Sequence, residues 1–96
     1  MSEGEIRREE DGSKGRYVLV LDGHEAELTY SRLGASRLIA DHTGVPRALE
    51  GRGVGNRLVE RLVADARSEG ILIVPLCPFV NAWRRRHPDA ADAFDV

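Results

Sequence analysis

The feature that most restricts what this chain can fold into is a change of period near its middle. Over residues 55–69 the apolar side chains Leu58, Val59, Leu62, Val63 and Ala66 recur on one helical face. Arg57, Glu60, Arg61, Asp65 and Arg67 fall outside it, which is the pattern of an amphipathic helix packed on a core. Gly70 is placed to end that helix with a left-handed cap. Ile71-Leu72-Ile73-Val74 follows as an uninterrupted apolar run of strand length, the pattern of a central strand buried on both faces. Before the helix, Arg37-Leu38-Ile39-Ala40-Asp41-His42 reads as another strand. A helix joining two strands makes a βαβ unit, so these two strands should lie parallel.

Upstream the period is two. Tyr17-Val18-Leu19-Val20-Leu21 is rich in β-formers and is followed by the hairpin signal Asp22-Gly23. Ala26, Leu28 and Tyr30 then alternate with Glu25, Glu27 and Thr29, and Gly34-Ala35 marks the next turn. Residues 43–55, with Pro46 and four glycines, read as a loop holding one turn of helix before Gly51. Residues 81–87 form a short helix that Pro88 stops. The Ala/Asp-rich last eight residues give no clear pattern. The resulting fold class is α+β / α/β: a mixed sheet of about four strands, an antiparallel meander plus one parallel strand, with two helices. Residues 1–15 are charged, with Ile6 as their main apolar side chain. They read as a flexible N-terminal tail or the start of an edge strand, and residues 16–96 as the folded domain. At 96 residues the chain has room for one domain and no separate cofactor domain.

Charge and cysteine usage exclude several classes. A formal net charge of −2 lacks the basic field of a general nucleic-acid binder. No apolar run approaches the roughly 20 residues of a membrane span, and residues 1–15 do not resemble a signal peptide. The chain is therefore expected to be soluble, cytoplasmic and monomeric, with neither a nucleic-acid nor a membrane partner. A single cysteine excludes an internal disulfide and a cysteine-rich zinc site, and no metal is expected.

Three segments can carry chemistry. Glu50-Gly51-Arg52-Gly53-Val54-Gly55-Asn56-Arg57 precedes the long helix. Glycines at alternate positions let the backbone approach a ligand, and the helix start offers free N–H groups and a partial positive charge. This is a pyrophosphate cradle or a plain turn; its spacing is neither GxGxxG nor GxxxxGK[ST]. Pro75-Leu76-Cys77-Pro78-Phe79-Val80 lies at the carboxyl end of the apolar strand, where open α/β sheets bind ligands. Cys77 there is a buried small hydrophobe or a nucleophile beside a helix N-terminus, in a cleft open to water. His42 ends the neighbouring strand, so its imidazole is expected within reach of Cys77 or of a substrate amine. Arg84-Arg85-Arg86-His87 closes the short helix, either as a solvated face complementing the helix dipole or with one or two arginines on a cofactor phosphate. Trp83 is read as a core anchor for that helix.

Taken together, His42-Thr43-Gly44-Val45-Pro46, Leu49-Glu50-Gly51-Arg52-Gly53-Val54-Gly55, Val74-Pro75-Leu76-Cys77-Pro78-Phe79-Val80 and Arg86-His87-Pro88 resemble the YjdJ-type minimal N-acetyltransferases, a compact branch of the GNAT superfamily. The resemblance runs from about Tyr17 to Pro88. It implies a truncated GNAT fold whose third and last strands splay to admit a pantetheine arm. It also implies acetyl-CoA as cofactor and an amine acceptor, either a small molecule or a protein lysine or N-terminus. The superfamily pattern Q/R-x-x-G-x-G/A falls on Glu50-Gly51-Arg52-Gly53-Val54-Gly55, with Glu50 departing from it. By the same resemblance Val45, Gly51, Arg52, Gly53, Val54, Gly55, Asn56, Arg57, Cys77 and Asn81 are cofactor-binding residues. Cys77 and His42 are the catalytic candidates. Ala90 stands where an aromatic is often expected in this branch. The expected function is acetyl transfer to an amine, directly or through Cys77; the alternative is a non-catalytic CoA-binding or protein-interaction module.

Overall fold

The computed structural model describes residues 4–96. One sheet holds five strands in chain order: β1 (Ile6–Asp11), β2 (Lys14–Leu21), β3 (His24–Leu33), β4 (Arg37–Gly44) and β5 (Leu72–Val74). The first three junctions are antiparallel. β4 and β5 are parallel, with Arg37, Leu38 and Ile39 opposite Leu72, Ile73 and Val74. Helix α1 (Val54–Glu69) makes the crossover between them, and α2 (Pro78–Arg86) follows β5.

Local chemistry sets these boundaries. β2 turns into β3 through Asp22 at φ 50° and Gly23 at φ 75°, with Leu21 opposite His24. Positive φ at both central residues is the two-residue turn whose twist matches its strands. α1 ends at Gly70, φ 69°, where the N–H of Ile71 reaches back to Ala66 O at 3.0 Å. This return bond satisfies a terminal carbonyl that the helix cannot.

Alternation carries Tyr17, Leu19, Ala26, Leu28, Tyr30, Leu38 and Ala40 onto one face of the sheet. α1 and α2 bury Leu58, Leu62, Val80 and Trp83 against that face in a single cluster. Each fully buried Leu or Val contributes about 1.5–3 kcal/mol relative to exposure. Arg16, Glu27 and Thr29, at intervening positions, belong to the other face, where Arg16 bonds Glu9 at 2.8 Å and Glu27 at 3.0 Å.

The structure decides one open reading and corrects two expectations. Of the two readings of the first fifteen residues, residues 6–11 take the edge strand, β1, which makes the sheet five-stranded; residues 1–3 lie outside the described residues. β1 points Arg8 and Glu10 inward, where they meet Tyr30, Asp65, Glu69 and Arg32. An inward face that is charged but paired leaves no apolar alternation to read. β5 is not buried on both faces: Ile73 is fully buried, whereas Leu72 is 36% exposed. Its free edge meets the C-terminal segment instead, with Phe94 bridging Ile73 and Asp95 N–H donating to Ile73 O at 2.9 Å. α2 begins at Pro78, three residues earlier than expected, because proline is well suited to the first helical position.

Between β3 and β4 the register slips by one. Thr29 faces His42 and Tyr30 faces Ala40, which leaves Asp41 as the extra residue of a β-bulge. Bulges re-aim side chains, and this one decides what reaches the end of β5.

Candidate functional site

The loop from β4 to α1 is pinned at one point. Pro46 opens a single turn of 3-10 helix (Arg47–Leu49), and Leu49 drops into the core with 1% exposure. After Glu50 the chain stays on the surface, with Gly51 at φ 77° and Gly53 at φ 74°. Both lie in the left-handed region that glycine enters without steric cost. A Cβ on either would meet nothing within 4 Å, so the space in front of the loop is open.

Gly53 is the N-cap of α1, and no side chain caps that end. The first intrahelical bond runs from Arg57 N–H to Gly53 O at 3.1 Å. The N–H groups of Val54, Gly55 and Asn56 are therefore donors without a helical partner. The first turn also contains no acidic residue, so the positive end of the helix dipole is not neutralised by its own sequence.

Gly55 has a different reason to be glycine. A Cβ there would stand 2.6 Å from Phe79 Cζ, because the first turn of α2 lays its ring on the first turn of α1. The two helices are also tied by Trp83 Nε1–H donating to Asn56 Oδ1 at 2.6 Å. Val45, Leu49, Glu50, Gly51, Gly53, Val54, Gly55, Asn56 and Phe79 enclose a cavity of ≈ 260 Å³. A larger hollow of ≈ 520 Å³ opens among Glu9, Asp11, Lys14, Arg16 and Asp41. Glu9 and Arg16 there are already paired with each other, and its lining comes wholly from strands with no helix start among them, so the smaller cavity is the better candidate for an anionic ligand.

Next to that cavity the parallel strands part. β5 stops at Val74, opposite Ile39, while β4 continues to Gly44. One bond crosses beyond the ladder, from Cys77 N–H to Ala40 O at 2.8 Å. Past it, residues 41–44 have no strand partner on the β5 side. Cys77 is the N-cap of α2 and is 3% exposed. Its Sγ lies 3.4 Å from Thr43 Oγ1, and either atom can donate.

The sequence-derived site residues therefore separate. Val45, Gly51, Gly53, Val54, Gly55 and Asn56 come together around one cavity. Arg52 instead turns its guanidinium to Asp22 at 2.5 Å, and Arg57 donates to Gly4 O at 2.5 Å. The Asn81 side chain accepts a bond from Arg84 Nε at 2.8 Å. Two expectations about the thiol fail. Cys77 is buried rather than open to water, and His42 does not meet it. The bulge sends Asp41 and His42 to the outer face together, and His42 is exposed opposite Thr29. Thr43, opposite the core residue Leu28, takes the inner position beside Cys77 instead. Simple alternation from Leu38 and Ala40 would have placed His42 there; no residue in the sequence announces the bulge. Phe79 was also missed, and the bare Gly55 beneath it was its only signal.

Among the described residues no three His, Cys, Asp or Glu side chains are grouped to hold a metal ion, and no helix is long and apolar enough to cross a membrane.

A model of the GCN5-related N-acetyltransferase family matches residues 16–93. The chain is also similar to the NMR solution structure of a GCN5-like protein from Staphylococcus aureus, whose N-acetyltransferase activity is itself an assignment. The TM-score is 0.73 at 28% identity, covering 99% of this chain and 91% of the other. No curated protein matches the chain.

Proposed function

As the chain belongs to the GCN5-related N-acetyltransferase family, we propose that it binds acetyl-CoA in the cavity at the start of α1 and transfers the acetyl group to an amine. We place it in the minimal, YjdJ-type branch. The observation that carries this reading is the glycine loop, which feeds the uncapped amides of Val54, Gly55 and Asn56 into an open cavity beside two parting strands. Oriented N–H groups at a helix start suit a pyrophosphate. The clear space before Gly51 and Gly53 lets a ligand approach the backbone. On this test the residues fit the nucleotide end of the cofactor.

Acetyl-CoA supplies the acyl group as an activated thioester. The chain's own contribution is threefold. Loop amides and the helix dipole bind phosphate charge. Val45, Leu49 and Phe79 give the cavity apolar walls. Beyond Ala40, the backbone of β4 offers donors and acceptors that no strand takes up. Cys77 then acts as a proton-holding group at Sγ, with Thr43 Oγ1 as its polar partner at 3.4 Å. Burial of the thiol and the absence of an imidazole beside it favour this role over a nucleophilic one, because a nucleophile needs a base within hydrogen-bond reach.

The test combines acetyl-CoA with peptides, polyamines and small amines, measuring CoA release and intact mass together. Turnover with one amine class is expected, with no acetyl adduct on the protein. Cys77→Ala should lower kcat by about 100-fold and leave CoA affinity within about twofold. An acetyl adduct at Cys77 would replace proton transfer with a covalent route. CoA binding with no turnover on any amine would select the non-catalytic binding module.

A further inference from the structure

The chain's arginines divide into two populations. Lys14 is the one lysine among fourteen basic residues, which leaves thirteen arginines. Arg7, Arg8, Arg16, Arg32, Arg37, Arg52, Arg61 and Arg67 each form an ion pair with a carboxylate. Among the described residues Arg47, Arg57, Arg84, Arg85 and Arg86 do not. All five lie in the β4–α1 loop, the first turn of α1 or the last turn of α2, elements that flank the cavity without these arginines lining it.

Within this group Arg86 is set apart by direction. Phe79 rests on Gly55 at the cavity. Seven residues further on, a helix at 3.6 residues per turn brings its side chain back to within about 20° of the same line, about 10 Å along the axis. Arg86 therefore continues the Phe79 ridge, whereas Arg85 is rotated away by about 100°. Both are exposed. Asp92, in the segment after α2, is held by Arg67 at 2.8 Å. A guanidinium with no carboxylate partner, about 10 Å along α2 from the Phe79 that walls the cavity, is suited to bidentate phosphate binding.

We propose that Arg86 binds the 3′-phosphate of CoA and so makes the protein selective for CoA over its 3′-dephospho form. The inference rests on the proposed reading of the cavity as the CoA site. It extends that site from the helix start of α1 to the end of α2, and it gives one member of the arginine run a task that its neighbour does not share.

Calorimetric titration with CoA and with 3′-dephospho-CoA tests it on wild type, Arg86→Gln and Arg85→Gln. Wild type should bind CoA about tenfold more tightly than the dephospho form. Arg86→Gln should bind both at the weaker affinity with its melting temperature unchanged. Arg85→Gln, which removes the same charge, should keep most of the preference. Equal binding of both ligands by wild type overturns the proposal while leaving the cavity as a CoA site. So does an equal loss in the two variants, which would mean a diffuse field. A melting temperature lowered by Arg86→Gln, with the preference intact, would assign the arginine to the helix dipole. Binding of neither ligand would remove the CoA site and this inference together.

Discussion

The two ends of α1 treat charge in opposite ways. At the C-terminal end every charge has a partner. Asp65 accepts from Tyr17 OH at 2.8 Å and from Arg8 at 3.2 Å; Glu69 takes Arg8 and Arg32. Arg8 also lies over the rings of Tyr17 and Tyr30, 5.4 and 5.3 Å from their centroids. Burial, reinforced by the bond to Asp65, pushes the Tyr17 hydroxyl well above the usual tyrosine range. At the N-terminal end no carboxylate stands in the first turn and no side chain caps it, and Arg57 in that turn donates to the Gly4 carbonyl rather than to a carboxylate. Helices left to themselves favour acidic residues there. The paired end fastens β1 to the helix; the unpaired end is open to an anion from outside the chain.

Arg8→Met should have the largest effect. It removes the one cation common to Asp65, Glu69 and Glu10, leaving Arg61 on Asp65 and Arg32 on the two glutamates. The expected loss is about 2 kcal/mol of unfolding free energy, read by urea denaturation, with CoA affinity unchanged. The pH dependence follows from Glu69, whose carboxyl the hydrogen bond from Arg8 holds below its usual range. A depressed carboxylate stabilises the fold fully above the unfolded value of about 4.3. That contribution is lost as pH falls through the folded value. The gap between wild type and Arg8→Met should therefore be widest near neutrality and shrink in acid. A gap independent of pH would mean that Arg8 acts through packing on the two tyrosines.

Gly53→Val probes the other end. The position needs φ 74° and has open space before it. A β-branched residue there is strained and fills the approach to the loop. CoA binding should weaken at least about tenfold, or about 1.4 kcal/mol. Gly53→Asn separates the two causes, since asparagine tolerates left-handed backbone. It should keep the melting temperature close to wild type and still lose affinity. Unchanged CoA binding in a folded Gly53→Asn would take the ligand away from this loop.

The contrast also explains what could be read before the structure. The βαβ unit and the hairpin at Asp22-Gly23 were legible because apolar period and turn chemistry are local. The open turn into an uncapped helix start was legible because alternating glycines before an amphipathic helix have a specific backbone consequence. β1 was not, since its inward positions are Arg8 and Glu10, whose partners lie more than fifty residues away in α1 or across the sheet. The Cys77 neighbour was misread for a related reason. One inserted residue, Asp41, exchanges His42 for Thr43, and the bulge is a property of the β3–β4 pairing rather than of either strand alone. Pairing over long sequence distance is what period and propensity do not carry.

Arg52 gives the smallest effect and the sharpest discrimination. It stands between Gly51 and Gly53, so by position it belongs to the cradle, yet by partner it belongs to the paired population, with Asp22 at 2.5 Å. Both side chains of that pair are well exposed, at 44% and 65%. Such pairs contribute about 0–1 kcal/mol and weaken with salt. If phosphate charge is met in this loop by main-chain N–H groups, Arg52→Ala keeps the relevant donor and removes only a guanidinium engaged elsewhere. CoA affinity should then stay within about twofold, and the melting temperature should barely move. Asp22→Asn should behave the same way. A tenfold loss for Arg52→Ala, together with tighter CoA binding by Asp22→Asn, would show the guanidinium leaving Asp22 for the ligand. The division between paired and unpaired arginines would then describe the free protein only.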